Sequence, residues 1–175
     1  MAKGNAILRW LQAVLLLPFV VLVVVPSLIL LAVHGSMTAS STGEWYFWVG
    51  LVISVPGLTL AGWNVWLFIR FGNGTAAPWD PPQNLVVRGP YRHVRNPMIT
   101  GVVFLLLAEC LIFGSWAIAV WFGIFTIGNM VYLPMFEEPG LIKRFGDDYL
   151  EYRKHVPRWI PRITPWTLPP TNSDT

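Results

Sequence analysis

Four apolar stretches, each long enough or nearly long enough to cross a bilayer, constrain this chain more than any other feature of its sequence. A helix needs about 20 apolar residues to span the hydrocarbon core. The first stretch covers about 7–33 and the second 45–71; the third covers about 97–113 and the fourth 116–136. The predicted fold class is therefore an all-α integral membrane protein with four transmembrane helices. Charged residues make up only 12% of the chain, against roughly 25% in soluble domains. Aromatic residues reach 14%, with ten Trp, a bias that suits anchoring at bilayer interfaces. The apolar core from Trp10 to Val33 exceeds the ~7–15 residues of a secretory leader, so it reads as a retained span.

Prolines and glycines mark where these helices bend or pack. Pro18 and Pro26 lie in the first span, and Pro56-Gly57 and Gly62 in the second, where a kink or close helix approach is expected. Gly114-Ser115 separates spans three and four. Lys3 and Arg9 lie at the start of span one, and Arg70, Arg88, Arg92 and Arg95 lie between spans two and three. Lys143, Arg144, Arg153, Lys154, Arg158 and Arg162 follow span four. Because basic residues stay on the cytoplasmic side, this pattern predicts that both termini and the middle loop are cytoplasmic. Gly72-Asn73-Gly74 reads as a plain turn rather than a phosphate loop.

After span four, Leu141, Ile142, Phe145, Tyr149, Tyr152 and Val156 recur at helical spacing, opposite Lys143, Arg144, Asp148, Glu151 and Lys154. This is an amphipathic helix lying along the membrane or capping the bundle, broken at Gly146 and restarted with Asp147 as N-cap. The tail, 164–175, reads as disordered.

Two polar clusters fall at the cytoplasmic ends of spans. The first is Arg88-Gly-Pro-Tyr-Arg-His-Val-Arg-Asn-Pro-Met98. Asn96 before Pro97 is a good helix start. Its exposed N–H groups, with three arginines and His93, favour an anionic group, whether a lipid phosphate or a ligand carboxylate. The second cluster is Glu137-Glu138-Pro139. Two adjacent carboxylates at a membrane boundary repel one another and resist desolvation, costs that a cationic ligand relieves. The alternative is one Glu paired with an arginine of the first cluster and the other facing solvent. Glu109 lies within span three and needs a partner or cavity, with Asn129 and Asn64 as candidates. Cys110 is the single cysteine, and no His or carboxylate set has metal-ligand spacing.

The residues Gly89-Pro-Tyr-Arg-His-Val-Arg-Asn-Pro-Met98, Gly101, Glu137-Glu138-Pro-x-Leu141, Phe145-Gly-x-x-Tyr149-x-x-Tyr152 and Val156-Pro-Arg158 closely resemble a superfamily of membrane methyltransferases. It contains the isoprenylcysteine carboxyl methyltransferases and the phospholipid N-methyltransferases. The resemblance covers about 88–162 and implies S-adenosylmethionine as cofactor, bound at the cytoplasmic face. It carries over Tyr91, Arg92, His93, Val94, Asn96, Pro97, Gly101, Glu137 and Glu138 as cofactor-binding positions. Glu138, Glu137 and His93 are the candidate proton acceptors, and Arg153 and Tyr149 the candidate substrate contacts. Asn96 and Ile99 depart from the carboxyl branch, which has His and Tyr there; Asn-Pro-Met looks like the phospholipid branch, although that branch too usually has Tyr where Ile99 stands. The expected substrate is a membrane lipid with a head-group amine such as phosphatidylethanolamine. The rivals are carboxyl O-methylation of a prenylated cysteine or another lipophilic molecule, and a non-catalytic membrane anchor or assembly factor. Neither nucleic acid nor metal is an expected partner, and the sequence leaves the oligomeric state open.

Overall fold

The computed structural model describes residues 17–34, 38–71 and 84–167. The beginning of the first apolar stretch, the Gly72-Asn73-Gly74 turn and the end of the tail lie outside the described residues. Among those described, every regular element is helical. Helix α1 covers Leu17–Val33, α2 Trp45–Phe71, α3 Pro97–Phe113 and α4 Trp116–Tyr132. A wide π turn, Leu133–Glu137, joins α4 to α5, Glu138–His155.

Two of these helical segments, Trp45–Leu67 and the continuous run from Trp116, are long and apolar enough to cross a membrane. The helices Leu17–Val33 and Pro97–Phe113 are equally apolar but shorter. On α4 the exposed residues Val120, Ile124, Ile127 and Val131 recur every three or four positions. They form an outward apolar stripe of a kind that water-facing helices avoid.

The most extensive helix contact joins α2 to α3, and small residues make it close. A Cβ built on Gly57 would lie 2.8 Å from Leu105 Cγ and 3.2 Å from the Gly101 carbonyl. One on Gly50 would meet Ile112 Cγ1 at 2.8 Å and the Ala108 carbonyl at 2.9 Å. Such approach is how helices associate where apolar burial alone gives little preference. Gly57 is thus a close-packing point, as its position implies. Gly62 is not, since nothing lies within 4 Å of its built Cβ.

The turns follow their local chemistry. Gly114 ends α3 in the left-handed conformation (φ 58°), which glycine adopts without a Cβ clash. The connection between α1 and α2 is pinned to that end, because both the N–H and the hydroxyl of Ser40 donate to the Ile112 carbonyl, at 2.9 and 2.6 Å. Glu109 bonds neither expected partner. Asn64 and Asn129 instead donate to Leu60 and Phe125 on their own helices, and one Glu109 oxygen has no hydrogen-bond partner. One turn of helix supplies a nearer acceptor for each amide than a neighbouring helix does.

The amphipathic helix folds as its periodicity dictates. Tyr149, Tyr152 and Val156 are buried, with Leu141, Ile142 and Phe145 packed around them beside Leu85, Val87 and Trp166. Gly146 breaks it (φ 54°, ψ −130°). The described start of the tail, residues 164–167, is tied to the first polar cluster. The Trp166 N–H donates to the Arg92 carbonyl, the Arg92 side chain donates back to the Trp166 carbonyl, and the indole stacks on the His155 ring at 5.3 Å. These two backbone contacts and the ring stack hold the chain in place despite its proline-rich surroundings.

Candidate functional site

The two polar clusters meet at one end of the bundle, and Glu138 is where they join. Its Oε1 accepts from Arg95 Nη1 at 2.8 Å and from Arg158 Nε at 2.7 Å, and Arg153 Nε stands 3.6 Å from Oε2. Glu138 is only 3% exposed. A carboxylate this buried is stable when charged only because guanidinium groups replace its lost water. The bond that Arg158 donates to Glu138 also raises the Arg158 pKa above its ordinary value.

The helix geometry separates the two carboxylates. Pro134 has no N–H for the carbonyl one turn behind it, and the chain widens into the π turn Leu133–Glu137. Glu138 then points inward while Glu137 stays accessible. Protein mass around the Glu137 carboxyl, and then the charge of Glu138, raise it above the ordinary carboxylate range. The sequence alternative of one paired and one accessible Glu is therefore the observed arrangement, with Arg95 and Arg158 as the main partners.

The first cluster is held by a strap that follows α5. Gly89–Arg92 form a 3-10 turn whose Gly89 (φ +53°) lies against Trp63 and Leu67 of α2. Beyond it, Arg95 N–H donates to the Pro157 carbonyl, Arg162 N–H to the His93 carbonyl and Trp166 N–H to the Arg92 carbonyl. Arg92 Nε returns a bond to the Trp166 carbonyl at 3.0 Å. His93 Nδ1 lies 2.8 Å from the Arg162 carbonyl. A carbonyl only accepts, so Nδ1 carries a proton and Nε2 is the remaining basic position. The Tyr152 hydroxyl donates to the Tyr91 carbonyl at 2.7 Å, and burial raises the Tyr152 hydroxyl strongly.

The other positions drawn from the sequence divide. Burial first, then the charges of Tyr152 and Glu137, raise the Tyr91 hydroxyl well above its usual value. Val94 and Pro97 are buried. Asn96 precedes α3 as predicted, but its side chain makes no capping bond; its carbonyl accepts from the Thr100 N–H and hydroxyl instead. Gly101 belongs to the contact with α2, where its Cβ would meet Leu60 at 3.2 Å and Gly57 at 3.3 Å. Its missing side chain serves helix packing. Tyr149 is 2% exposed and part of the amphipathic core. Burial, then Glu138, raises its hydroxyl, with Arg95 pulling the other way. The Arg153 side chain is 45% exposed beside Glu138. Arg158 and the strap are the parts of the site that were not singled out in the sequence, although Val156-Pro-Arg158 signals them.

Among the described residues no cluster of His, Cys, Asp or Glu is arranged to hold a metal ion. Arg95 Nε is buried without a hydrogen-bond partner, an unused donor for an anionic group. Glu137 is an unused acceptor for a cationic one. A ligand bearing both charges fits this donor set.

No curated protein matches the chain. A family model described as phospholipid methyltransferase matches residues 45–148, well over half the chain. That span contains α2, α3, α4, the Tyr91–Pro97 segment and the Glu137-Glu138 pair. Its order of helices and polar clusters is the one described above, and the chain belongs to the phospholipid methyltransferase family of membrane methyltransferases.

Proposed function

We propose that this protein uses S-adenosylmethionine to methylate the head-group amine of a membrane phospholipid, phosphatidylethanolamine being the first candidate. In this reading all four apolar helices span the bilayer, and both termini lie in the cytoplasm with the site. The observation that carries it is the division of labour between Glu138, neutralised by arginines, and Glu137, accessible and raised toward protonation.

The bound cofactor supplies the electrophilic methyl group. Tyr91 to Pro97 wall its pocket, Arg95 Nε is the donor available to its carboxylate, and Glu137 the acceptor available to its positive charge. A lipid ammonium must lose a proton before it can act as nucleophile, being similar to Lys with a pKa of ~10.4. Glu137 is the first proton acceptor, since its raised proton affinity makes transfer to it less uphill. His93 Nε2 is the second. Glu138 is the poorest, because protonation would cost it two charge-assisted bonds. The remaining task is alignment of nucleophile and methyl group with water excluded.

A second reading, methylation of a carboxylate, draws on Arg153, whose half-exposed guanidinium stands 3.6 Å from Glu138 and has donors left for a second anion. Its nucleophile needs no proton acceptor. Calorimetric titration of purified protein with S-adenosylmethionine tests the common core of both readings. Saturable binding that Glu137→Gln weakens is expected; no binding by the wild-type protein would overturn both.

A further inference from the structure

The strap that follows α5 is inverted in polarity. Ile160 is 80% exposed and Ile163 94%, the two most exposed large apolar side chains among the described residues. Its arginines do the reverse. Arg158 reaches in to Glu138, and Arg162 is held by the His155 carbonyl at 2.9 Å and by the Thr164 hydroxyl. A segment that faces water places its charges outward and its isoleucines inward. Pro157, Pro161 and Pro165 have no N–H, and those of Arg162 and Trp166 are already bonded. The strap thus offers few donors that need water.

In the bilayer placement proposed above, the depth of the strap follows from the elements it is bonded to. Its backbone bonds go to Arg92, His93 and Arg95, just before α3 begins at Pro97. Helix α3 has 17 residues, about 25 Å at 1.5 Å per residue, whereas the hydrocarbon core is about 30 Å thick. Its far end is marked by the exposed indole of Trp116, a residue that anchors at a head-group layer. Its near end therefore stops short of the cytoplasmic boundary by about 5 Å. Helix α2 gives the same level independently. Gly89 packs against Trp63 and Leu67, which still belong to the apolar run Trp45–Leu67. The segment that carries the strap lies at the edge of the hydrocarbon rather than out in the cytosol.

We propose that the strap is seated in the cytoplasmic leaflet through Ile160 and Ile163, and that the upper acyl region of the lipid is the partner that covers them. Two side chains supply far less than the about 800 Å² per side of a stable protein interface, while a fluid acyl layer needs no matching shape. The proposal rests on the placement of the helices in a bilayer. It gives the strap two holds: protein on the side of Arg158 and Glu138, and lipid on the side of the isoleucines.

The test uses single cysteines at Ile160 and Ile163 in a Cys110→Ala protein, each labelled with an environment-sensitive fluorophore. The protein is placed one copy per disc in phosphatidylcholine nanodiscs. Quenching is read with aqueous iodide and with phosphatidylcholine carrying a nitroxide near the top of its acyl chain. A label at Ile127, on the outward stripe of α4, reports the bilayer, and one at Lys154, exposed on α5, reports water. All four positions are exposed, and circular dichroism verifies each fold. Both strap labels should be quenched several-fold more than Lys154 by the lipid nitroxide and several-fold less by iodide. Iodide reaching either strap label as it reaches Lys154, with Ile127 shielded, overturns the proposal and leaves the bilayer placement standing. A strap label that neither quencher reaches is covered by protein, which also overturns it. An Ile127 label open to iodide removes the bilayer placement and the seat of the strap with it.

Discussion

Arg95, at the entrance to α3, and Glu138, at the first turn of α5, form a buried ion pair 2.8 Å long that joins the two polar clusters of the chain. Arg158 shares the same carboxylate oxygen from the strap that follows α5. Three segments that are far apart in sequence are thus fixed around one oxygen atom. The pair organises the site without being its reactive group.

Glu138→Ala is expected to destabilise the protein more than any change at Glu137, because it leaves Arg95 and Arg158 facing each other with Arg95 buried. Removing one partner of a buried pair costs about 3–5 kcal/mol. Equilibrium unfolding in detergent measures it. A loss within the ~1 kcal/mol typical of exposed pairs would mean that the carboxylate is reached by water.

Glu137 gives a stability signature of opposite sign. Its raised pKa means that the folded protein holds a proton that the unfolded chain releases, so stability falls as pH rises from the ordinary carboxylate range through the raised value. Glu137→Gln has no such proton to lose. It should be more stable than wild type near neutral pH, with the difference vanishing below the ordinary carboxylate pKa of ~4.3. Melting temperatures of both proteins across that range check this; parallel curves would show an unshifted carboxyl.

The glycines of α2 make a matched pair. Gly57→Ala pushes a methyl to within 2.8 Å of Leu105, and overpacking of this kind costs about 1–3 kcal/mol. Gly62→Ala meets open space and should be neutral or stabilising by up to ~1 kcal/mol through helix propensity. The same unfolding experiment ranks them, and equal effects would contradict the close contact of α2 with α3.

Much of this arrangement is legible in the sequence, because side-chain type announces it. The apolar runs, the Gly114 stop, the Asn96-Pro97 start, the Gly146 break and the buried face of α5 each follow from residues whose chemistry acts locally. The strap was less visible. Its bonds from Arg95, Arg162 and Trp166 run between backbone groups, which every residue carries alike. The partners of Glu138 had to come from six or more nearby arginines and lysines, and only the fold selects Arg95 and Arg158. Gly101 illustrates the converse. A glycine in a motif signals a place where no Cβ fits, without saying whether a ligand or a helix fills the space.

Membrane orientation is tested by labelling unique cysteines in a Cys110→Ala background. An impermeant reagent added from outside should reach Cys introduced at Ser40, in the connection before α2, but not at Ser173 near the C-terminus. The reverse pattern would contradict the orientation drawn from the basic residues.

The central claim, methyl transfer to a lipid amine, is tested most directly by identifying the product of a single turnover. Purified protein in nanodiscs, saturating labelled S-adenosylmethionine and phosphatidylethanolamine are followed from about pH 6 to about pH 10, with folding checked at each end. The amine's pKa of ~10.4 leaves its reactive form scarce at neutrality, so the rate should rise with pH, and mass spectrometry should find the label on the head-group nitrogen. A flat profile with phosphatidylethanolamine unlabelled, and label instead on a prenylated cysteine carboxylate, would contradict it.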